Sequence, residues 1–333
     1  MKIGIITLPL ESNYGGVLQN WALQMLLRRL GHEPITIDFE KRSIFRLIMV
    51  NLKTILLHFY GKKRPFVRWK DLERNPLFDK FIKSNINLSN LVNHYSKKII
   101  KQYGIEAIVV GSDQVWRPKY SRPFLYDRYL RFIKGMPIKR IGFAISFGVD
   151  SWEYNVEETP KCALLAAKFD ALSFREQSGV KLCKHYLNCD AIQVLDPTLL
   201  ISKDAYIELC SCVPVSKEKY IASYIIDKNW NTEKILLRKH TELGIPIKEF
   251  TANKNATISI EEWLAMFRDA EYIVTDSFHG TAFSIIFGKK FHCIYNEDRG
   301  SERFISLLTL YNMGELEKYK KISIEFLYKS LSI

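Results

Sequence analysis

The sequence has no run of about 18 uncharged apolar residues, which argues against a membrane-spanning helix. Its start, MKIGIITLPL, lacks the basic opening and long apolar stretch of a signal peptide and reads as a β-strand. Together these absences predict a cytoplasmic protein. Cysteine is sparse and scattered. Cys162, Cys183, Cys189, Cys210, Cys212 and Cys293 form no CxxC pair and only one close pair, Cys210 with Cys212, so reduced, mostly buried thiols are expected. No His, Asp and Cys cluster has convincing ligand spacing, so no metal is expected. GxGxxG is also missing, and NAD is not inferred. The chain shows no internal repeat, low-complexity segment or nucleic-acid-binding motif, and charge alone does not make nucleic acid an expected partner. Acidic residues are absent from Lys41–Lys70, which holds nine Lys or Arg residues. The net charge is +13, and removing those nine leaves only +4 for the rest of the chain.

What is present describes an alternating α/β protein. At 333 residues, 47% of them apolar, the chain can fill two cores of roughly 150 residues each. Strands are expected at 3–7, 35–39, 107–110, 140–146, 171–174 and 193–195, with a helix over 16–30 whose Leu18, Trp21, Ala22, Met25, Leu26 and Leu30 recur at helical spacing and face the sheet. A boundary after Leu200, in the mixed stretch before a strand at 220–226, gives domains 1–202 and 203–333. The last helix has the option of packing back on the first domain. Two doubly wound, Rossmann-like α/β domains facing a cleft are the expected architecture. The segment 41–101 is an excursion from the first domain. Its basic and apolar residues, about 44–70, suit either peripheral contact with an anionic membrane or an apolar side packed on the first domain with solvated charges.

The most informative stretch is YIVTDSFHGTAFSIIFGKKFHCI, Tyr272 to Ile294. It reads as a buried strand, a polar turn, a helix and a parallel second strand. Ser277 or Asp276 can cap that helix, Gly280 would let a ligand approach the backbone, and the first-turn N–H groups favour an anion. His279 sits at that helix start, either as a functional group or as a histidine satisfied by a carbonyl. The strand at 107–110 ends in GSDQVW, so Ser112, Asp113 and Gln114 are either cleft residues at a strand end or, for Ser112 and Asp113, a helix cap or turn. NYGG, Asn13 to Gly16, places small residues at another helix entry.

NYGGVLQNWALQ (Asn13 to Gln24), GSDQVW (Gly111 to Trp116), SFRE (Ser173 to Glu176), LDPTLL (Leu195 to Leu200) and TDSFHGTAFSIIF (Thr275 to Phe287), in this order, resemble the polysaccharide pyruvyl transferase family. The resemblance implies a glycosyltransferase-B-like fold and transfer of the enolpyruvyl part of phosphoenolpyruvate to a sugar diol, with phosphate released. Phosphoenolpyruvate would be a substrate, no cofactor is expected, and the acceptor would be a surface polysaccharide or its lipid-linked precursor. By motif position, His279 would bind the donor phosphate and transfer protons, while Arg175 would pair with the donor carboxylate or phosphate. The alternative for Arg175 is a salt bridge to Glu176 or a neighbouring helix. Asp113 would be the base for the sugar hydroxyl, and Asn13, Tyr14, Gly15, Gly16, Ser112 and Gln114 would line the cleft. Ser277 stands where many relatives carry arginine, and Arg299 or Arg303 would supply that charge, with Ser277 and Gly280 also beside the donor. Two further readings compete: a nucleotide-sugar transferase of the same architecture, and a non-catalytic sugar- or phosphate-binding member of an assembly complex.

Overall fold

Short apolar runs such as AIVV and YIVT, each followed by a polar turn and a helix, form two all-parallel sheets in the computed structural model, which describes residues 1–40, 44–61, 65–67, 74–251, 256–295 and 300–332. The first sheet contains β1 (Lys2–Ile6), β2 (Glu33–Thr36), β3 (Ala107–Val110), β4 (Lys139–Ile145), β5 (Ala171–Phe174) and β6 (Ile192–Gln193), in the order β2-β1-β3-β4-β5-β6. The second contains β7 (Ile221–Tyr224), β8 (Ile247–Phe250), β9 (Tyr272–Thr275) and β10 (Lys290–Cys293), in the order β10-β9-β7-β8. All strands run parallel, but the order in which the chain adds them turns back between β1 and β3 in one sheet and between β7 and β9 in the other. Crevices for ligands open at such switch points, outside the carboxyl ends of the strands.

Helix Tyr14–Arg29 is buried almost all round, which its helical stripe alone does not convey. Leu18, Trp21, Ala22 and Leu26 are buried as expected, whereas Met25 and Leu30 are partly buried at its margin. Val17, Leu23 and Leu27 are buried as well, because the helix also meets residues that lie beyond the first sheet. Tyr14 stacks on Trp263 with ring centroids 5.4 Å apart, and Trp21 meets Tyr206 at 5.4 Å. One apolar cluster therefore runs from Ile3 and Val109 to Trp263 and Phe283 without interruption. Helix Leu316–Leu331 extends it onto β4, where Phe326 lies 6.2 Å from Phe143 and the Ser323 hydroxyl accepts the Leu195 N–H.

Helix Ile44–Phe59 leaves much of its apolar surface exposed. Thr54 is buried on its inner side, and Asn51 exchanges two hydrogen bonds with the backbone of Val67, at 2.8 and 2.9 Å. Ile48, Met49, Leu52, Ile55, Leu56 and Phe59 are exposed. Leu47, Val50 and Leu57 are half-buried on the side of Thr54, and Lys53 is exposed. Among the described residues, no helix is long and apolar enough to cross a membrane.

Candidate active site

Loops after β1, β3, β4, β5, β6 and β9 converge on one buried cluster of charges. Asp113 follows β3 and has φ of 78°, a backbone region in which side-chain-bearing residues store strain at functional sites. Its carbonyl is fixed by the N–H of Ser146 at 3.1 Å, so β4 holds the turn in place. Arg175, just past β5, forks between two carboxylates: Nη2 donates to Asp113 Oδ1 at 2.9 Å and Nη1 to Asp196 Oδ2 at 2.6 Å. Asp196 also accepts from Ser112 Oγ at 3.2 Å and from the N–H and hydroxyl of Thr198 at 3.0 and 2.8 Å. Arg303 approaches Asp113 from the other side at 3.5 Å. The Phe278 ring carries both guanidinium groups, 4.8 Å from Arg175 and 5.3 Å from Arg303.

The helix Phe278–Ile286 points its start at this cluster. Ser277 caps it, accepting the Gly280 N–H at 3.3 Å, while the first-turn amides of Phe278 and His279 have no intrahelical acceptor, as at any helix start. His279 is 4% exposed, and its Nε2 stands 3.9 Å from Asp196 Oδ2, outside hydrogen-bond range. That nitrogen has no hydrogen-bond partner among the described residues. The ring fits only because residue 15 is glycine: a Cβ there would lie 2.1 Å from His279 Cγ.

Electrostatics divide the cluster by role. Burial would raise the Asp113 pKa, but Arg175, Arg303 and His279 outweigh it and hold it at about 2. Burial likewise opposes ionisation of Asp196, yet Arg175 and His279 keep its pKa below the usual value. Arg175 stays charged against its own burial because Asp196 and Asp113 flank it. Burial, reinforced by Arg175, lowers Arg303 to about 10, still a cation at neutral pH. Burial takes His279 down to about 4, with Asp196 and Asp113 only partly restoring it, so the imidazole is neutral at pH 7.

A cavity of about 230 Å³ opens over the cluster, with Asn13, Asp113, Gln114, Ser277, His279 and Arg303 on its wall. Several sequence expectations need correction against this geometry. Tyr14 does not line the cavity; it is buried and donates its hydroxyl to the Ile258 carbonyl at 2.8 Å. Gly16 serves the helix cap, its N–H going to Asn13 Oδ1 at 3.2 Å. Ser112 lies beneath the cavity, bonded to the Ala144 carbonyl and Asp196. Gly280 gives no backbone approach to a ligand, because a Cβ there would lie 2.2 Å from Thr275 Oγ1. Arg175 does not pair with Glu176. That buried carboxyl instead accepts from Ser146 Oγ and from the N–H groups of Phe147 and Gly148, and burial raises its pKa. Arg299 lies outside the described residues. Asp196 is the participant that sequence reasoning missed; the LDPT motif was its only signal. Among the described residues, no group of three or more His, Cys, Asp or Glu side chains is placed to hold a metal ion.

The family model described as polysaccharide pyruvyl transferase matches residues 13–298, a span that includes every wall residue named above except Arg303. No curated protein matches the chain. Among solved structures, the S. aureus MnaA-UDP co-structure is 11% identical, covering 97% of this chain and 91% of that one, with a TM-score of 0.53. UDP-GlcNAc 2-epimerase from Methanocaldococcus jannaschii is 10% identical over 92% of both chains, with a TM-score of 0.48. The Streptomyces sp. SF2575 glycosyltransferase SsfS6 is 10% identical, covering 98% of this chain and 96% of that one, with a TM-score of 0.40. These likenesses concern the fold, a GT-B-like pairing of two parallel Rossmann-like sheets.

Proposed function

Because the chain belongs to the polysaccharide pyruvyl transferase family, we propose that it condenses phosphoenolpyruvate with two hydroxyls of one sugar, forming a pyruvate ketal and releasing phosphate. The acceptor on this reading is a saccharide unit of a surface polysaccharide or its lipid-linked precursor. The observation that carries the proposal is a buried imidazole with an unpartnered Nε2, set beside Arg303 where a helix start meets a small cavity. At about 230 Å³ the cavity is smaller than the roughly 300–1,000 Å³ of drug-sized ligand sites, which favours a compact organic phosphate over a nucleotide sugar.

The chemistry needs cations for a multiply charged donor and one group that exchanges protons. Arg303 on the cavity wall supplies a guanidinium suited to phosphate or carboxylate, and the first-turn amides with Ser277 add donors. Arg303 thus takes the part of the arginine that Ser277 replaces. Arg175 acts through its neighbours, holding Asp113 and Asp196 in place rather than entering the cavity. Asp113 at about 2 is too weak a proton acceptor to serve well as a base at neutral pH; it orients Arg303 instead.

His279 carries the proton. It is neutral before the donor arrives, and a phosphate brought within a few ångströms raises its pKa, so donor binding itself converts it to an acid. Protonation of the donor methylene leaves a cationic C2, one sugar hydroxyl adds to it, and the second hydroxyl displaces phosphate as the ring closes. The neutral imidazole regenerated in the first step accepts the proton of the first hydroxyl, and the proton of the second leaves with the phosphate as hydrogenphosphate, so the histidine ends protonated as it began.

The test is phosphate release from phosphoenolpyruvate with a panel of aryl and lipid-linked hexosides, read alongside the product mass. Acceptor-dependent release with a mass gain matching a pyruvate ketal, abolished in His279→Ala and with KM for the donor raised in Arg303→Lys, is the expected result. Release with no acceptor in the panel, or undiminished in His279→Ala, would overturn the assignment.

A further inference from the structure

Helix Ile44–Phe59 keeps Leu47, Val50, Asn51, Thr54 and Leu57 at least half-buried and exposes a broad apolar face. Ile48, Leu52, Ile55 and Phe59 fall on one stripe, with Met49 and Leu56 beside them, and the exposures run from 40% at Ile55 to 83% at Phe59. Phe66 continues the patch; it is 56% exposed and stacks on His58 at 5.8 Å. Asn51 and Thr54 hold the opposite side, one tied to Val67 and the other hydrogen-bonded to the Val50 carbonyl. An exposed apolar face of this size marks a contact rather than ordinary surface.

Charge identifies the occupant. Lys41–Lys70 carries nine Lys or Arg residues and no acid, and Lys53 is exposed among the apolar side chains. A second copy would contribute the same stretch of sequence, equally basic and without an acid. An anionic lipid surface neutralises the cations and accepts the apolar side chains at once. The helix, about 24 Å long at 1.5 Å per residue, is too short to span a bilayer but lies readily along one.

We propose that this helix seats the protein on an anionic lipid surface, lying in the headgroup plane with Leu52, Ile55, Leu56 and Phe59 among the acyl chains. The helix follows β2 and so leaves the first sheet from the carboxyl edge, the edge on which Asn13, Asp113 and Gln114 meet the cavity. Seating would present that edge to a saccharide carried on a lipid. This last link rests on the transferase reading, whereas the lipid contact does not.

The experiment is co-sedimentation of the full chain with vesicles of phosphatidylcholine alone and of phosphatidylcholine mixed with phosphatidylglycerol. The wild type is compared with Lys53→Glu and with Leu52→Ser/Leu56→Ser/Phe59→Ser, whose altered side chains are all exposed; unchanged melting temperatures show that the variants fold. The wild type should pellet with the anionic vesicles and not with the neutral ones. The triple variant should lose that binding by about tenfold or more, and high salt should weaken the wild type. Turnover of a soluble aryl glycoside should be unchanged in the triple variant while turnover of a lipid-linked acceptor falls. Anionic pelleting that persists in a preparation with no phosphoenolpyruvate turnover supports the lipid contact independently of the donor reading. Wild type left in the supernatant, equal pelleting by the triple variant, or a dimer in solution that the triple variant splits would overturn the proposal, the last by giving the face to a second copy.

Discussion

The turns after β1 and β9 are built alike and used differently. Each joins a parallel strand to a helix through a capped turn, Asn13 in one and Ser277 in the other, and each places glycine at the helix entry. In the first, Gly15 makes room for a side chain from far along the sequence, the ring of His279. In the second, Gly280 makes room for its own strand, at Thr275 Oγ1, and the helix start itself faces the cavity. One turn is therefore a seat for the functional group and the other its carrier. Glycine at a helix entry is not by itself a mark of ligand approach.

The largest effect that separates the two should come from Gly15→Ala. Its Cβ would collide with the imidazole, and a displacement near 1 Å at a reacting group costs on the order of 100-fold in rate. Steady-state turnover should fall by about that factor in a protein that still folds; turnover near wild type would mean that His279 does not act from this seat.

Next in size is a pH effect on stability. His279 is depressed from 6.5 to about 4, so between those values the unfolded chain binds the proton and the folded one does not. Stability is complete above pH 6.5 and declines as pH falls toward 4, by roughly 3 kcal/mol for a shift of this size. Urea unfolding of His279→Gln across this range should show that much less pH dependence than the wild type.

Gly280→Ala should do the reverse of Gly15→Ala. Its Cβ disturbs Thr275, which donates to the Tyr224 carbonyl at 2.7 Å and accepts the Ser277 N–H at 3.1 Å, so stability should drop by about 2 kcal/mol. Activity per folded molecule should stay within a few-fold of wild type, as a melting curve paired with turnover would show. The smallest effect is loss of either cap: Asn13→Ala and Ser277→Ala should each cost about 1 kcal/mol, and only the second should also raise KM for phosphoenolpyruvate.

The sheets were largely legible in the chain. β3 and β5 match the expected residues, and other strands of the first sheet lie within a few residues, because a strand covered on both faces leaves a continuous apolar run. The cluster of charges was legible only residue by residue. Arg175 was singled out, but its partners stand 62 and 21 residues away, and the adjacent Glu176 is drawn off by three donors after β4. Helix Ile44–Phe59 shows a different limit. Periodicity reveals that a helix has faces, but not that Ile48, Leu52 and Phe59 stay exposed while Leu47, Val50 and Leu57 are half-buried.

The apolar cluster that passes from the first sheet to Trp263, and the return of helix Leu316–Leu331 to β4, bear on biosynthesis. A chain emerging from the ribosome can pair β1 to β6 early, yet Phe143 must wait for Phe326 and Tyr14 for Trp263 before either is covered. The first half thus spends its synthesis with a sticky flank, and completion comes only after the Leu316–Leu331 segment has been made. Ribosome-bound chains halted before Trp263 should therefore be far more protease-sensitive than chains released whole.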